Sequence, residues 1–251
     1  MISNTSSHPT ERFNYLYQKH INYLSLQSYS DSTVDAYARA IRRIGANFDF
    51  QIEQLTEDQL LTYFAGLQKS HSISTVKLDL YGLKFFYQRV LKRNWEDIPL
   101  VKSPRVIRVP DILTQEEIQQ LLVHTRVLSY RVFFYTSYSM GLRLSEALAL
   151  EVGDIDNQTM RVHIRKGKGQ KDRLVPLPMA TLLTLRNFWK VHRHPRFLFP
   201  NRKKMCSEAR FATSHLNKGG VQKAMREVVK ECGFKKTFLI TVYAIVMRPT
   251  Y

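Results

Sequence analysis

Gly141-Leu142-Arg143-Leu144-Ser145-Glu146-Ala147-Leu148-Ala149-Leu150 is the stretch on which the fold turns. Leu144, Ala147 and Leu148 recur at helical spacing, and a glycine stands just before them, so a helix opens here out of a turn. Arg143 sits at the entry, and Glu146, three residues on, shares its helix face. Outward from this point the period changes. Met160, Val162 and Ile164 alternate with Arg161 and His163, which is strand period. Lys166-Gly167-Lys168-Gly169-Gln170-Lys171 makes a glycine-bearing turn, and Leu174-Val175-Pro176-Leu177 returns. The pattern predicts one basic β-hairpin set into an otherwise helical domain.

The flanks are helical. Upstream, Thr114-Gln115-Glu116-Glu117 has capping-box spacing ahead of Ile118, Leu121 and Leu122, and an apolar helix runs through Phe133, Phe134 and Tyr135. Downstream, helices are expected over about 179–191 and 220–232. Four further amphipathic patterns fill residues 11–92. The first carries Phe13, Leu16, Tyr17, Ile21 and Leu24; the second follows Asp31-Ser32 and carries Val34, Tyr37, Ala38, Ile41 and Ile44. The third opens on the capping box Thr56–Gln59 and continues through Leu60, Leu61, Tyr63 and Phe64; the fourth follows Ser72-Ile73-Ser74 and carries Val76, Leu80, Leu83, Phe86 and Val90. Four short helices of this kind make a small bundle. Between the two groups, Pro99, Pro104 and Pro110 prevent a continuous helix while Lys102, Arg105 and Arg108 keep the stretch basic. This reads as a linker, either lying along a phosphate backbone or serving as a plain extended connector.

The chain has 251 residues, enough for two modest domains, and 44% hydrophobic residues, enough for real cores. Its 38 Lys and Arg against 21 Asp and Glu give a net charge of +17. Residues 1–160 hold 17 basic and 17 acidic side chains, and residues 161–251 hold 21 basic and four acidic, so the entire excess (21 − 4 = 17) lies in the last third. A solvated surface mixes signs, so this imbalance points to a polyanionic partner, with nucleic acid preferred over a bland basic surface. The charges do not follow one amphipathic helix, which argues against an anionic membrane. No run of eighteen apolar residues is present, and Met1–Thr10 has no apolar signal core. Two cysteines, Cys206 and Cys232, make no disulfide framework. The expectation is a cytoplasmic, metal-free and cofactor-free protein.

Two side chains carry the candidate chemistry. The Arg143 guanidinium is always charged and forks onto two phosphate oxygens; the bland alternative is a structural Arg143–Glu146 pair on a helix surface. Lys168 stands at the hairpin tip between two glycines, where it can reach an oxygen leaving group and give it a proton; the alternative is a solvated basic turn. Lys166, Lys171 and Arg173 flank it and suit neighbouring phosphates. The tip is not a nucleotide-binding loop, because it lacks Gly-x-x-x-x-Gly-Lys-Ser/Thr and does not lead into a helix. His192 and His194, beside Pro195, lack further ligands for a metal.

The combination of Gly141–Leu150, then Asp154-Ile155-Asp156, then Gly167–Leu177 resembles the tyrosine recombinases, the phage-integrase family, in order and spacing. The resemblance covers nearly the whole chain. It implies a mainly α protein: a helical core-binding (SAM-like) DNA-binding domain over 9–93, a linker over 94–110, and a mixed α/β catalytic domain with a small hairpin over 111–251, incomplete at its C-terminus. By resemblance Arg143 corresponds to the first catalytic arginine and Lys168 to the hairpin lysine, with Glu146 in structural support. DNA contacts are expected at Lys166, Lys171, Arg173, Arg105, Arg108 and Lys77. The family implies breakage and rejoining of double-stranded DNA through a 3′-phosphotyrosine link, by a homo-oligomer on DNA, as in mobile elements, without metal or nucleotide. A non-catalytic DNA-binding remnant or competitor at recombination sites is the alternative, and an RNA- or ribosome-binding protein a third.

One departure stands out. The family's His-x-x-Arg motif is due at about Ile240, yet the chain reads Ile240-Thr-Val-Tyr-Ala-Ile-Val-Met-Arg-Pro-Thr-Tyr251. Joining the last base of each codon to the first two of the next, from Ile240 onward, allows His-x-Leu-Arg-His-Ser-Tyr-Ala-Thr-His-Leu, the missing motif, over eleven continuous residues. The expectation is therefore a frameshift before Ile240, loss of the nucleophile segment, and no cleavage by the chain as given. Two decoys follow. Tyr251 is out of frame on this reading. Arg210–Leu216 echoes the missing motif but precedes the last helix and reads as a basic loop.

Overall fold

The computed structural model describes residues 10–95, 113–165, 171–201 and 206–234. These fall into two compact units, divided between the first of these segments and the rest.

The first unit is four helices: α1 Glu11–Leu26, α2 Asp31–Asn47, α3 Glu57–Ser70 and α4 Ile73–Phe85. Each begins where a hydroxyl satisfies an otherwise unpaired backbone N–H of the first turn. Thr10, Ser30, Thr56 and Ser72 accept from the N–H three residues on, and Thr56 with Gln59 completes a reciprocal capping box. α4 does not stop at Phe85 but widens into a π-type turn over Phe86–Leu91, closed by Lys92 in the left-handed region at φ 55°. Gly82 lets α4 approach α2 closely: a Cβ there would stand 3.1 Å from the Ala40 Cβ. Phe13, Leu16, Ile41, Ile44, Val76, Leu83 and Phe86 fill the core.

One expected core position is exposed and two helix starts shift: α2 begins at Asp31 and α4 at Ile73, so Asp31-Ser32 and Ile73-Ser74 lie inside the helices that the sequence pattern starts after them. Leu61 is 52% exposed, because the apolar stripe of α3 runs through Leu60, Tyr63, Phe64 and Leu67 instead. Two polar side chains stand on faces that read as apolar: His20 and Asp79 are both buried.

The second unit opens with α5 Gln115–His124, capped by the reciprocal Thr114–Glu117 box, and α6 Leu128–Ser139. Gly141, at φ 61°, turns the chain out of α6, and the five-residue α7 Leu144–Leu148 starts at once. A 3-10 turn over Val152–Asp154 leads into the sheet. The sheet is β1 Ile155–Asp156, β2 Arg161–Ile164 and β3 Arg173–Pro176, antiparallel in that order. The expected hairpin is thus β2 and β3, in register Val162↔Val175, and a two-residue third strand joins its outer edge through Ile155↔Val162. Val162 and Ile164 face the core and Arg161 faces out, as the alternation requires. α8 Met179–His192 and α9 Lys218–Glu231 follow, with a 3-10 turn over Cys206–Phe211 between them. The stretch around Arg210 is therefore partly a tight helical turn rather than a plain loop. Phe133, Phe134, Leu142, Leu150, Val162, Leu185, Phe199 and Val221 make the core.

Candidate active site

The site is built around a buried carboxylate. Arg143 is the residue from which α7 starts, with extended backbone (φ −70°, ψ 153°), and Glu146 is three residues into that helix. The Arg143 backbone N–H donates to Glu146 Oε2 at 2.9 Å and its Nη1 donates to Oε1 at 2.7 Å. A second guanidinium arrives from the first residue of β3: Arg173 Nη1 donates to Oε1 at 2.7 Å and Nη2 to Oε2 at 2.9 Å. The Glu146 side chain is 3% exposed, whereas Arg143 and Arg173 keep 37% and 36%. Burial pushes the Glu146 carboxyl up, but the hydrogen bonds from Arg173 and Arg143 outweigh it and hold the group at about 2. One ionised carboxylate thus fixes two half-exposed cations, a geometry suited to phosphate oxygens.

Both legs of the hairpin are tethered in this way. Arg165, just past β2, donates from Nε to Asp154 Oδ1 at 2.6 Å, and Asp154 is buried, with Oδ2 accepting from the Glu151 N–H at 2.9 Å. Between the legs, His163 Nε2 and Asp172 Oδ2 lie 3.0 Å apart. His163 is therefore half-exposed and engaged by a carboxylate on the next strand's approach.

Of the residues singled out in the sequence, Arg143, Glu146 and Arg173 come together. Lys171 is exposed beside the hairpin, and Lys77 is exposed on α4 in the other unit. Lys166 and Lys168, with their flanking glycines, lie outside the described residues, as do Arg105, Arg108 and residues 240–251 with Tyr251. Sequence reasoning places Arg173 among phosphate contacts and does not find its grip on Glu146, which spans 27 positions. Nor does it find the pairing of Arg165 with Asp154, although Asp154 stands in the Asp154-Ile155-Asp156 stretch already singled out.

Among the described residues no group of three His, Cys, Asp or Glu is arranged to hold a metal ion. The paired histidines are structural. His192 Nδ1 accepts from the His194 N–H at 3.0 Å. His194 Nδ1 accepts from the N–H of Arg196 and Phe197, and its Nε2 lies 2.9 Å from the Ala212 carbonyl oxygen. His215, in the stretch that echoes the missing motif, has its Nδ1 2.8 Å from the Leu216 carbonyl and precedes α9. No helix among the described residues is long and apolar enough to cross a membrane.

Comparison with known proteins bears on both units. The pattern of the phage integrase N-terminal SAM-like domain matches residues 16–97, and that of the phage integrase family matches residues 111–239. An integrase/recombinase of Sinorhizobium fredii, y4qK, is 32% identical over 182 residues, covering 70% of this chain and 58% of that protein. A second from the same organism is 36% identical over 151 residues, covering 58% of this chain and 59% of its own length, so this chain spans less than two thirds of either relative. A tyrosine recombinase of Thermosipho africanus is 27% identical over 224 residues, covering 84% of this chain and 76% of that protein. In fold, the XerH site-specific recombinase bound to a palindromic difH substrate superposes with a TM-score of 0.65 at 15% identity, over 97% of this chain and 85% of that one. A lambda integrase dimer bound to a core site gives 0.67 at 13%, over 92% and 83%.

Proposed function

This chain belongs to the phage integrase family, and from that premise we propose that it acts on double-stranded DNA as a site-specific recombinase of the tyrosine type. The observation that carries the reading is Arg143, a half-exposed guanidinium fixed at the mouth of α7 by a buried carboxylate, within the segment that matches the catalytic pattern.

In the proposed reaction a tyrosine hydroxyl gives up its proton to solvent and its oxygen attacks the scissile phosphorus. The bond from phosphorus to the 5′ oxygen breaks and a 3′-phosphotyrosine forms. Arg143 neutralises the non-bridging oxygens as charge builds on them. Lys168 gives its proton to the departing 5′ oxygen, and rejoining reverses the steps. Lys166, Lys171, Lys77, Arg105 and Arg108 hold flanking phosphates. The protein works in the cytoplasm as a homo-oligomer on DNA, in a synaptic tetramer. The proposed domain limits are 9–93 and 111–251, with a linker at 94–110.

The second reading is a non-catalytic DNA-binding protein at recombination sites. It is favoured by residues 240–251, which hold no His-x-x-Arg and fall outside the family match. On that reading the 251-residue chain binds duplex DNA and cleaves nothing. A nicked suicide substrate separates the two: a covalent protein–DNA adduct supports the catalytic reading, and its absence alongside DNA binding supports the second. Preference for RNA over duplex DNA in competition would overturn both.

A further inference from the structure

We infer that Arg173 is a positioning residue that neutralises Glu146 and so leaves the charge of Arg143 to a DNA phosphate. The inference rests on the DNA-binding reading above and gives Arg173 a different part from the phosphate contact its sequence position suggests.

The argument is a count of charges and of hydrogen-bond edges. Glu146 is buried and ionised, and two guanidiniums face it, so the site carries +1. The two cations are not used alike. Arg173 commits both Nη groups, one to each carboxylate oxygen. Toward the same carboxylate Arg143 commits Nη1, together with its backbone N–H. Arg173 therefore makes the bidentate fork that pairs a carboxylate most completely, and Arg143 keeps the rest of its fork for another anion. Without Arg173, Glu146 and Arg143 form a neutral pair, and an approaching phosphate meets no net charge. For Arg173 itself to grip a phosphate it would have to turn from a carboxylate that is 3% exposed, leaving a buried charge short of partners.

Arg173 also opens β3, opposite Ile164. The pair with Glu146 thus locks the returning leg of the hairpin to the helix that Arg143 begins. A charge at this one position sets both the electrostatics of Arg143 and the seat of the hairpin.

The full chain and its R173Q, E146Q, R173Q/E146Q and R143Q variants are titrated onto a fluorescent duplex oligonucleotide at several salt concentrations, with circular-dichroism melts to correct for folded fraction. R173Q is expected to weaken binding about tenfold and to lower the slope of log K against log[salt] by about 0.9, as one phosphate is lost. In R173Q/E146Q the neutral amide that replaces the carboxylate restores +1 at the site, and affinity and slope return to within about twofold of wild type. A double variant as weak as R173Q overturns the inference in favour of a direct phosphate contact. An unchanged affinity in folded R173Q overturns it in favour of a purely structural bond. Should R173Q fail to melt cooperatively, R173Q/E146Q decides alone, since it leaves no buried charge unpaired. If wild type shows no salt-dependent duplex binding, or R143Q binds as wild type does, it is the DNA-binding reading that fails, and the inference falls with it.

Discussion

Arg143 caps the helix that carries its own partner: its backbone N–H and its Nη1 both reach Glu146, at 2.9 and 2.7 Å. The residue that would face a phosphate is thus held by the turn of chain it begins. Replacing Glu146 by Ala removes the acceptor for two guanidiniums and for one backbone N–H. The expected cost is about 1–3 kcal/mol in urea unfolding, limited because both arginines can turn to solvent. Glu146→Gln, which keeps the shape, should cost less. Equal stability of wild type and the alanine variant would show that the pairing is idle.

Acid should unfold the protein in two stages. His20, packed against Phe85 and Phe86, is pushed by burial down to about 4, and burial together with His194 does the same to His192. For a depressed histidine the stability is full above its unfolded value near 6.5 and is lost as pH falls through 4, up to about 3 kcal/mol each. Glu146, held near 2, adds a second loss below about pH 4.5, also of up to about 3 kcal/mol. A denaturation series from pH 8 to 3 checks this. His20→Leu should flatten part of the upper stage and leave the lower one, while Glu146→Gln should do the reverse. An unaltered profile in both variants would contradict the assignment.

Asp79 anchors a buried polar network in the first unit. Its side chain is 3% exposed, Arg43 Nη1 donates to both oxygens at 3.0 and 2.8 Å, and the Tyr63 hydroxyl donates at 3.3 Å. Burial pushes the Tyr63 hydroxyl well up, so it stays a donor. Asp79→Ala would leave a buried hydroxyl without its acceptor and free a guanidinium that is 34% exposed and can turn to solvent, and should cost about 1–3 kcal/mol. Tyr63→Phe removes one neutral donor and should cost about 1 kcal/mol. Thermal melts rank the two; a harmless Asp79→Ala would remove the network from the stability of this unit.

Gly45 sits inside α2, where alanine would ordinarily gain about 1 kcal/mol of helix propensity. Here a Cβ would meet the Phe13 ring at 2.8 Å and Phe50 at 3.0 Å. Phe13 packs in the core with half-buried Phe50 against it, 4.9 Å between centroids, so the Phe13 ring does not yield freely. Overpacking of about 1–3 kcal/mol should exceed the propensity gain, and Gly45→Ala should lower the melting temperature. A raised one would show that Phe13 repacks without strain.

Much of the fold is legible because its signals are local. Thr56 and Thr114 start helices through capping boxes that the sequence states directly, whereas Thr10, Ser30 and Ser72 cap without a reciprocal partner, and α2 and α4 begin earlier than their sequence suggests, at Asp31 and Ile73. Arg143 and Glu146 are legible together for the same reason. The role of Arg173 is not, since its bond to Glu146 crosses 27 positions and exists only once β3 folds against α7. The β1 strand, two residues long, has no period of its own and is a strand only through its partner. Leu61 and His20 show the limit of periodicity. Apolar spacing marks a stripe, but which edge of the stripe is covered depends on the neighbouring helix, and a histidine inside it looks like a polar interruption.

The account rests most directly on Arg143 gripping a DNA phosphate, and one titration tests it. Wild-type chain and Arg143→Gln are bound to a duplex oligonucleotide between 50 and 200 mM salt. Wild-type affinity should fall linearly with log[salt], by about 10³- to 10⁵-fold for 6–10 phosphate contacts, and the variant should bind about tenfold more weakly with a slope smaller by about 0.9. A flat salt dependence, or a variant indistinguishable from wild type, would contradict it.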